Sequence, residues 1–124
     1  VQGAKKNAEE LEQAKASLEH LISEMSNEVK AKQVNIFNPK DWGIVSFSSE
    51  KDSKLPDLCL AGGWTNCICF CKGAPNVHLY KTSCLSAKSN VITCMEKDFS
   101  VDVEIANPPI ILKINYEDKI ITKS

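Results

Sequence analysis

Arginine is absent, and lysine carries all 15 positive charges of the 124-residue chain. Bidentate readout of phosphates and base edges rests on the guanidinium fork. With 16 carboxylates and a formal charge of −1, the chain has no basic surplus either, so nucleic acid is not an expected partner. Also missing are Gly-x-Ser-x-Gly, a phosphate loop, His-Glu-x-x-His and a dinucleotide fingerprint, and no reaction class has a motif behind it. The only histidines are His20, on a helix between its polar stretch and apolar stripe, and His78, alternating with Val77 and Leu79. Both read as ordinary surface or boundary residues. The expectation is a chain that is not an enzyme and needs no cofactor. No hydrophobic run approaches the ~20 residues that cross a bilayer. The chain opens at Val1 without a signal-peptide pattern and contains no Asn-x-Ser/Thr sequon. An exported protein needs a signal, so processing or truncation upstream of Val1 is expected.

What is abundant for the size is cysteine. Six cysteines, irregularly spaced, point to an oxidising compartment and a disulfide framework. Three of them lie in Asn66-Cys67-Ile68-Cys69-Phe70-Cys71-Lys72. As a strand, this stretch sets Cys67, Cys69 and Cys71 on one face and Ile68 and Phe70 on the other. It has no polar face, so it is expected to be central, covered by apolar packing on one side and by sulfur on the other. Same-face neighbours along one strand stand roughly 6.5–7 Å apart, at or beyond the reach of an unstrained disulfide. The three should therefore bond outward to Cys59, Cys84 and Cys94, which cuts the fifteen possible pairings to about six. The preferred set is Cys59 with Cys67, Cys69 with Cys94 and Cys71 with Cys84. A metal held by the Cys-x-Cys-x-Cys run with Cys59, Cys84 or His78 is disfavoured, because there is no Cys-x-x-Cys knuckle and a strand aims its thiols in parallel. No metal site is expected.

Ala4 to about Gln33 reads as one long helix, rich in Ala, Glu, Lys and Leu. Small residues and Lys15 fill the core positions of its first half, whereas Leu18, Leu21, Ile22, Met25 and Val29 load the second. The first half is thus expected to be a stalk and the second to dock on a sheet. Ala4, Ala8, Leu11 and Ala14 are the candidate contact with neighbouring copies.

Asn38-Pro39 ends the helical pattern. Strands are expected at Trp42–Phe47, Leu58–Leu60, Cys67–Cys71, Val77–Tyr80 and Val91–Met95. The alternating Val101-Asp102-Val103-Glu104-Ile105 should be a strand with one wet face, and Ile110–Asn115 should turn at Tyr116–Lys119 into Ile120–Thr122. Trp42 is expected in the core where helix and sheet meet. Trp64, in a Gly-Gly connection, is the aromatic that a partner would touch. The chain should be one domain over 1–124, with 1–37 as helix and stalk and 38–124 as the disulfide-bonded β region. Its class is then α+β: a long N-terminal helix packed on a small antiparallel sheet stapled by disulfides.

That layout is similar, over nearly the whole chain, to the ectodomain of type IV pilins and pilin-like proteins without their membrane-spanning segment. In sequence, three short stretches resemble archaeal surface proteins with an N-terminal membrane anchor: Asn38-Pro39-Lys40-Asp41-Trp42-Gly43-Ile44-Val45-Ser46-Phe47, Cys67-Ile68-Cys69-Phe70-Cys71 and Asn107-Pro108-Pro109. The resemblance implies a non-enzymatic structural subunit at the cell surface, extracellular, anchored or assembled through its N-terminal helix. Its partners would be copies of itself or other filament subunits, and it would meet the membrane only through that anchor. Two other classes stay open: a secreted, disulfide-rich binding module recognising a protein or surface, and a small metalloprotein or thiol enzyme.

Overall fold

The computed structural model describes residues 2–26, 32–37, 42–72, 84–85, 87–103 and 110–123, with side chains from Ala8 onward. Helix α1 spans Gln2–Ser26 and is followed by strand β1, Gln33–Ile36. Then come β2 (Trp42–Ser48), the short helix α2 (Asp57–Ala61), β3 (Asn66–Lys72), β4 (Ile92–Glu96), β5 (Ser100–Val103), β6 (Ile110–Asn115) and β7 (Ile120–Lys123). The strands form one seven-stranded sheet in the order β1-β6-β7-β5-β2-β3-β4. Neighbours run antiparallel except β5 and β7, which pair in parallel at Ser100↔Ile120 and Val101↔Ile121.

This overturns the expected fold class. The sheet is not small and antiparallel but seven-stranded and mixed, strand outweighs helix among the described residues, and Gln33, the expected end of the helix, opens strand β1 instead. Gln33-Val34-Asn35-Ile36 alternates exposed and buried, a period of two, and pairs with β6. That alternation is a strand signal which the helical pattern upstream does not share. The N-terminal region 1–37 is accordingly part helix and part sheet.

The two ends of the sheet are built differently. In β1, β5, β6 and β7 one face is buried, by Val34, Ile36, Val101, Val103, Ile110, Leu112, Ile114 and Ile121, and the other carries exposed residues such as Asn35, Asp102 and Lys113. The buried face continues through Ile44, Ile68 and Phe70 and is covered by α1 through Ala14, Leu18, Leu21 and Met25. Strands β2 and β3 are both buried on both faces.

The helix docks further along its length than the stalk reading allows. Ala14 is fully buried, and Leu11 packs on the same core. Glu10 Oε2 accepts a hydrogen bond from Trp42 Nε1 at 2.7 Å, and Glu10 Oε1 lies 3.5 Å from Lys72 Nζ. Since Trp42 and Lys72 are register partners, Glu10 clamps the paired ends of β2 and β3. Gln13 and Ser17 both donate to the Phe37 carbonyl, at 2.7 and 3.1 Å.

The join between the two ends of the sheet is short. β2 pairs with β5 at Ile44↔Val103 and Val45↔Asp102. Beyond that, Ser46 Oγ accepts from Val101 N at 2.9 Å and donates to Val101 O at 3.3 Å, so a buried side chain stands in for the ladder. The hairpin expected at the C-terminus is present, closing at Asn115↔Ile120. Leu58–Leu60 is helical rather than extended: Pro56 sits at φ −57° ahead of the first turn and Asp57 supplies its acid. The strand expected at Val77–Tyr80 and the Asn107-Pro108-Pro109 stretch lie outside the described residues.

Ser46→Ala should cost about 1–3 kcal/mol, because the Val101 N–H and C=O lose a partner in a buried place; an unchanged urea midpoint would refute the bridging role. Ala14→Leu should likewise cost about 1–3 kcal/mol through overpacking beneath the helix. If Ala14→Leu unfolds at the parent's midpoint, Ala14 is not seated in the core.

Candidate functional site

The residues of β3 dictate the site. Its period of two sends Ile68 and Phe70 into the core under α1, and Cys67, Cys69 and Cys71 into a second cluster on the opposite face. There Val45, Phe47 and Ile92 are buried with them, and Leu55, Trp64, Ala87 and Cys94 pack at the margin. The disulfides are Cys59–Cys67, Cys69–Cys94 and Cys71–Cys84, the set preferred from the sequence.

Each partner is delivered by a different device. Cys69 and Cys94 face each other directly across the β3–β4 ladder, with Cα atoms 4.1 Å apart. Cys59 is the inward residue of the single-turn helix α2, and its Cα stands 6.3 Å from that of Cys67. Gly62 and Gly63 carry the chain from α2 back to β3. Gly63 takes φ +70°, a left-handed conformation that favours glycine, while Gly62 leaves space for a ring. A Cβ at Gly62 would lie 2.5 Å from Trp64 Cε2. Trp64 thus covers the sulfur cluster half-buried, its backbone N–H donating to Cys59 O at 3.1 Å. Its ring is spent on the fold more than the sequence suggests.

The sulfurs are crowded. Cys59 Sγ lies 3.7 Å from Cys69 Sγ of the neighbouring disulfide, and the Sγ atoms of Cys59, Cys69 and Cys94 all fall within 4.8 Å of one another. With every cysteine in a disulfide, neither sulfur carries a hydrogen, so the 3.7 Å approach is a van der Waals contact. That triangle has dimensions suited to a soft metal ion, but metals bind thiolate, and disulfide sulfur offers none. His78 lies outside the described residues.

The other candidates fall apart from this site. His20 is exposed on α1, and Asp102 is on the wet face of β5. Of the proposed contact between copies, Ala8 is exposed, Leu11 is half-buried and Ala14 is buried in this chain's own core, so Ala14 is withdrawn from that role; the side chain of Ala4 is outside the described part. A polar cleft of about 350 Å³ opens where the halves of the sheet diverge, lined by Ser46, Asp52, Asp98, Asp118 and Lys119 among others. Four of its charged groups have partners: Lys119 Nζ lies 3.0 Å from Asp98, Asp118 accepts from Asn115, and Asp52 accepts from the Ser48 N–H. A wider depression of about 840 Å³ is bordered by Lys32, Lys113, Ile114, Tyr116 and Ile120. Burial, and then the Glu24 carboxylate, raise the Tyr116 hydroxyl above the ordinary tyrosine value. Large apolar side chains exposed to solvent include Leu58 and Leu60 on α2, Leu85 beside Cys84, and Phe37.

Two of these features escaped the sequence reading. The Glu10–Trp42 bond joins residues 32 apart and leaves no local signal. The α2 turn had one, Pro56-Asp57, overlooked because the hydrophobic run that follows suits a strand equally well.

No protein-family model, curated protein or solved structure matches the chain. Three disulfides suggest an oxidising, extracellular environment. Among the described residues, no helix is long and apolar enough to cross a membrane.

Gly62→Ala should lift the indole from the sulfur cluster, costing about 1–3 kcal/mol by overpacking and shifting tryptophan emission to the red. An unchanged spectrum and midpoint would show that Trp64 is not seated there.

Proposed function

We propose that the chain is a non-enzymatic extracellular subunit that works at a cell surface, attached or assembled through the N-terminal end of α1. The observation that carries this reading is the disulfide-built second face of β3, an arrangement suited to a protein that acts where thiols stay oxidised. The start of the helix is the suitable attachment end. Docking by Glu10 and Ala14 holds α1 on the sheet, while Ala8, two residues before Glu10, is exposed. The pilin-like form of the proposal, with neighbouring copies in contact, is accordingly confined to the turns before Glu10.

A second reading, a secreted binding module, draws on a different observation. Leu58, Leu60 and Leu85 are exposed near the sulfur cluster, and Leu85 borders two shallow cavities there, one shared with Leu58 and one with Leu60. That apolar shoulder replaces Trp64 as the surface a partner would meet.

Protease treatment of intact cells expressing the full-length gene product, followed by non-reducing peptide mapping, tests the common part. Digestion from outside with all six cysteines oxidised is expected. Protection from the protease, with thiols alkylated at lysis, refutes it. A photo-crosslinking residue at Ala8 or at Leu60 separates the readings: adducts between copies from Ala8 support assembly, and adducts to other proteins from Leu60 support binding.

A further inference from the structure

Cys59 and Cys69 belong to different disulfides, yet their sulfurs touch at 3.7 Å. Cys59, Cys67 and Cys69 are fully buried, whereas Cys94 is half-buried on β4, at the end of the strand order. An external thiol therefore reaches this pair of disulfides at Cys94 first. We propose that the two disulfides act as one thiol–disulfide exchange site, entered by a dithiol reductant at Cys94 and resolved internally as a Cys59–Cys69 disulfide.

The steps balance. A thiolate of the dithiol attacks Cys94 Sγ, the Cys69–Cys94 bond breaks, and Cys69 leaves as a thiolate with the bonding pair. That thiolate is held against Cys59 Sγ in a dry cluster, where proximity raises its effective concentration far above that of any free thiol. It attacks Cys59, forming Cys59–Cys69 and expelling Cys67 as a thiolate, which takes a proton. The second thiol of the reductant then attacks its own sulfur in the mixed disulfide, freeing Cys94 as a thiol and leaving the reductant as a cyclic disulfide. Two electrons have entered, and one disulfide has become two thiols, on Cys67 and Cys94. The link between α2 and β3 survives, moved from Cys67 to Cys69, while the tie between β3 and β4 is released.

Limited reduction of the intact protein with dithiothreitol, acid quenching, N-ethylmaleimide capture and peptic mapping tests the exchange. In any species whose Cys59-Cys67-Cys69-Cys94 cluster has gained two electrons, Cys59–Cys69 is expected, with label on Cys67 and Cys94. Absence of Cys59–Cys69 from that species, or passage of the cluster straight to four thiols, overturns the proposal. Cys94→Ala provides a second readout, since it leaves the Cys69 thiol facing the Cys59–Cys67 disulfide. The label should then divide between Cys67 and Cys69 within about tenfold, as expected for exchange between similarly buried sulfurs. Label on Cys69 alone refutes exchange. If Cys94→Ala fails to fold, the mapping of the unaltered protein decides.

Discussion

Strand β3 has no face left for water, and the rest of the chain is disposed around that constraint. Its Ile68 and Phe70 side requires an apolar cover, supplied by α1; its cysteine side requires another, and a single-turn helix and a few loop residues are too little to bury it by packing alone. Covalent bonds make up the difference. The disulfides tie α2, the segment at Cys84 and strand β4 onto that face, where each limits the freedom of the unfolded chain as well as covering sulfur. A core split into two thin layers on either side of one strand is a solution open to a short chain only if one layer is cross-linked.

The remainder of the sheet follows from how far the helix can reach. From β5 through β1, one face lies in the same core as α1 and the other stays wet, which is why those strands alternate cleanly and β3 does not. Curling lets one helix serve most of the sheet; at the β2–β5 join backbone pairing is confined to two register pairs, and Ser46 takes over beyond them. Glu10 performs the matching task at the other end of β2, holding Trp42 and Lys72 together from the helix. Both residues are polar groups placed where an apolar side chain would leave backbone or indole N–H donors without acceptors.

Chemistry in this molecule is concentrated where the cysteines are. Asp118 bonds Asn115 within its turn, Lys119 pairs with Asp98, Glu10 with Lys72, and His20 faces solvent. Two disulfides in van der Waals contact are a different matter, because the sulfur freed from one is already in place against the other. A structural staple and an exchangeable one differ here only in whether a reductant reaches Cys94.

Short-range rules were enough for the features whose cause is local. The period of two in Asn66–Lys72 placed sulfur and hydrocarbon on opposite faces of a central strand, the limit on disulfide reach forced those cysteines outward, and four turn residues after Asn115 closed the last hairpin. The sequence was silent, or misleading, wherever distant segments choose each other. Ser46 meets Val101 across 55 residues, β5 lies parallel to β7, Gln33–Ile36 leaves the helical pattern to become an edge strand, and Ala14 turns inward because the sheet curls up to meet it. Propensity along the chain cannot rank such pairings, since each is decided by how much surface the whole arrangement buries rather than by the residues on either side.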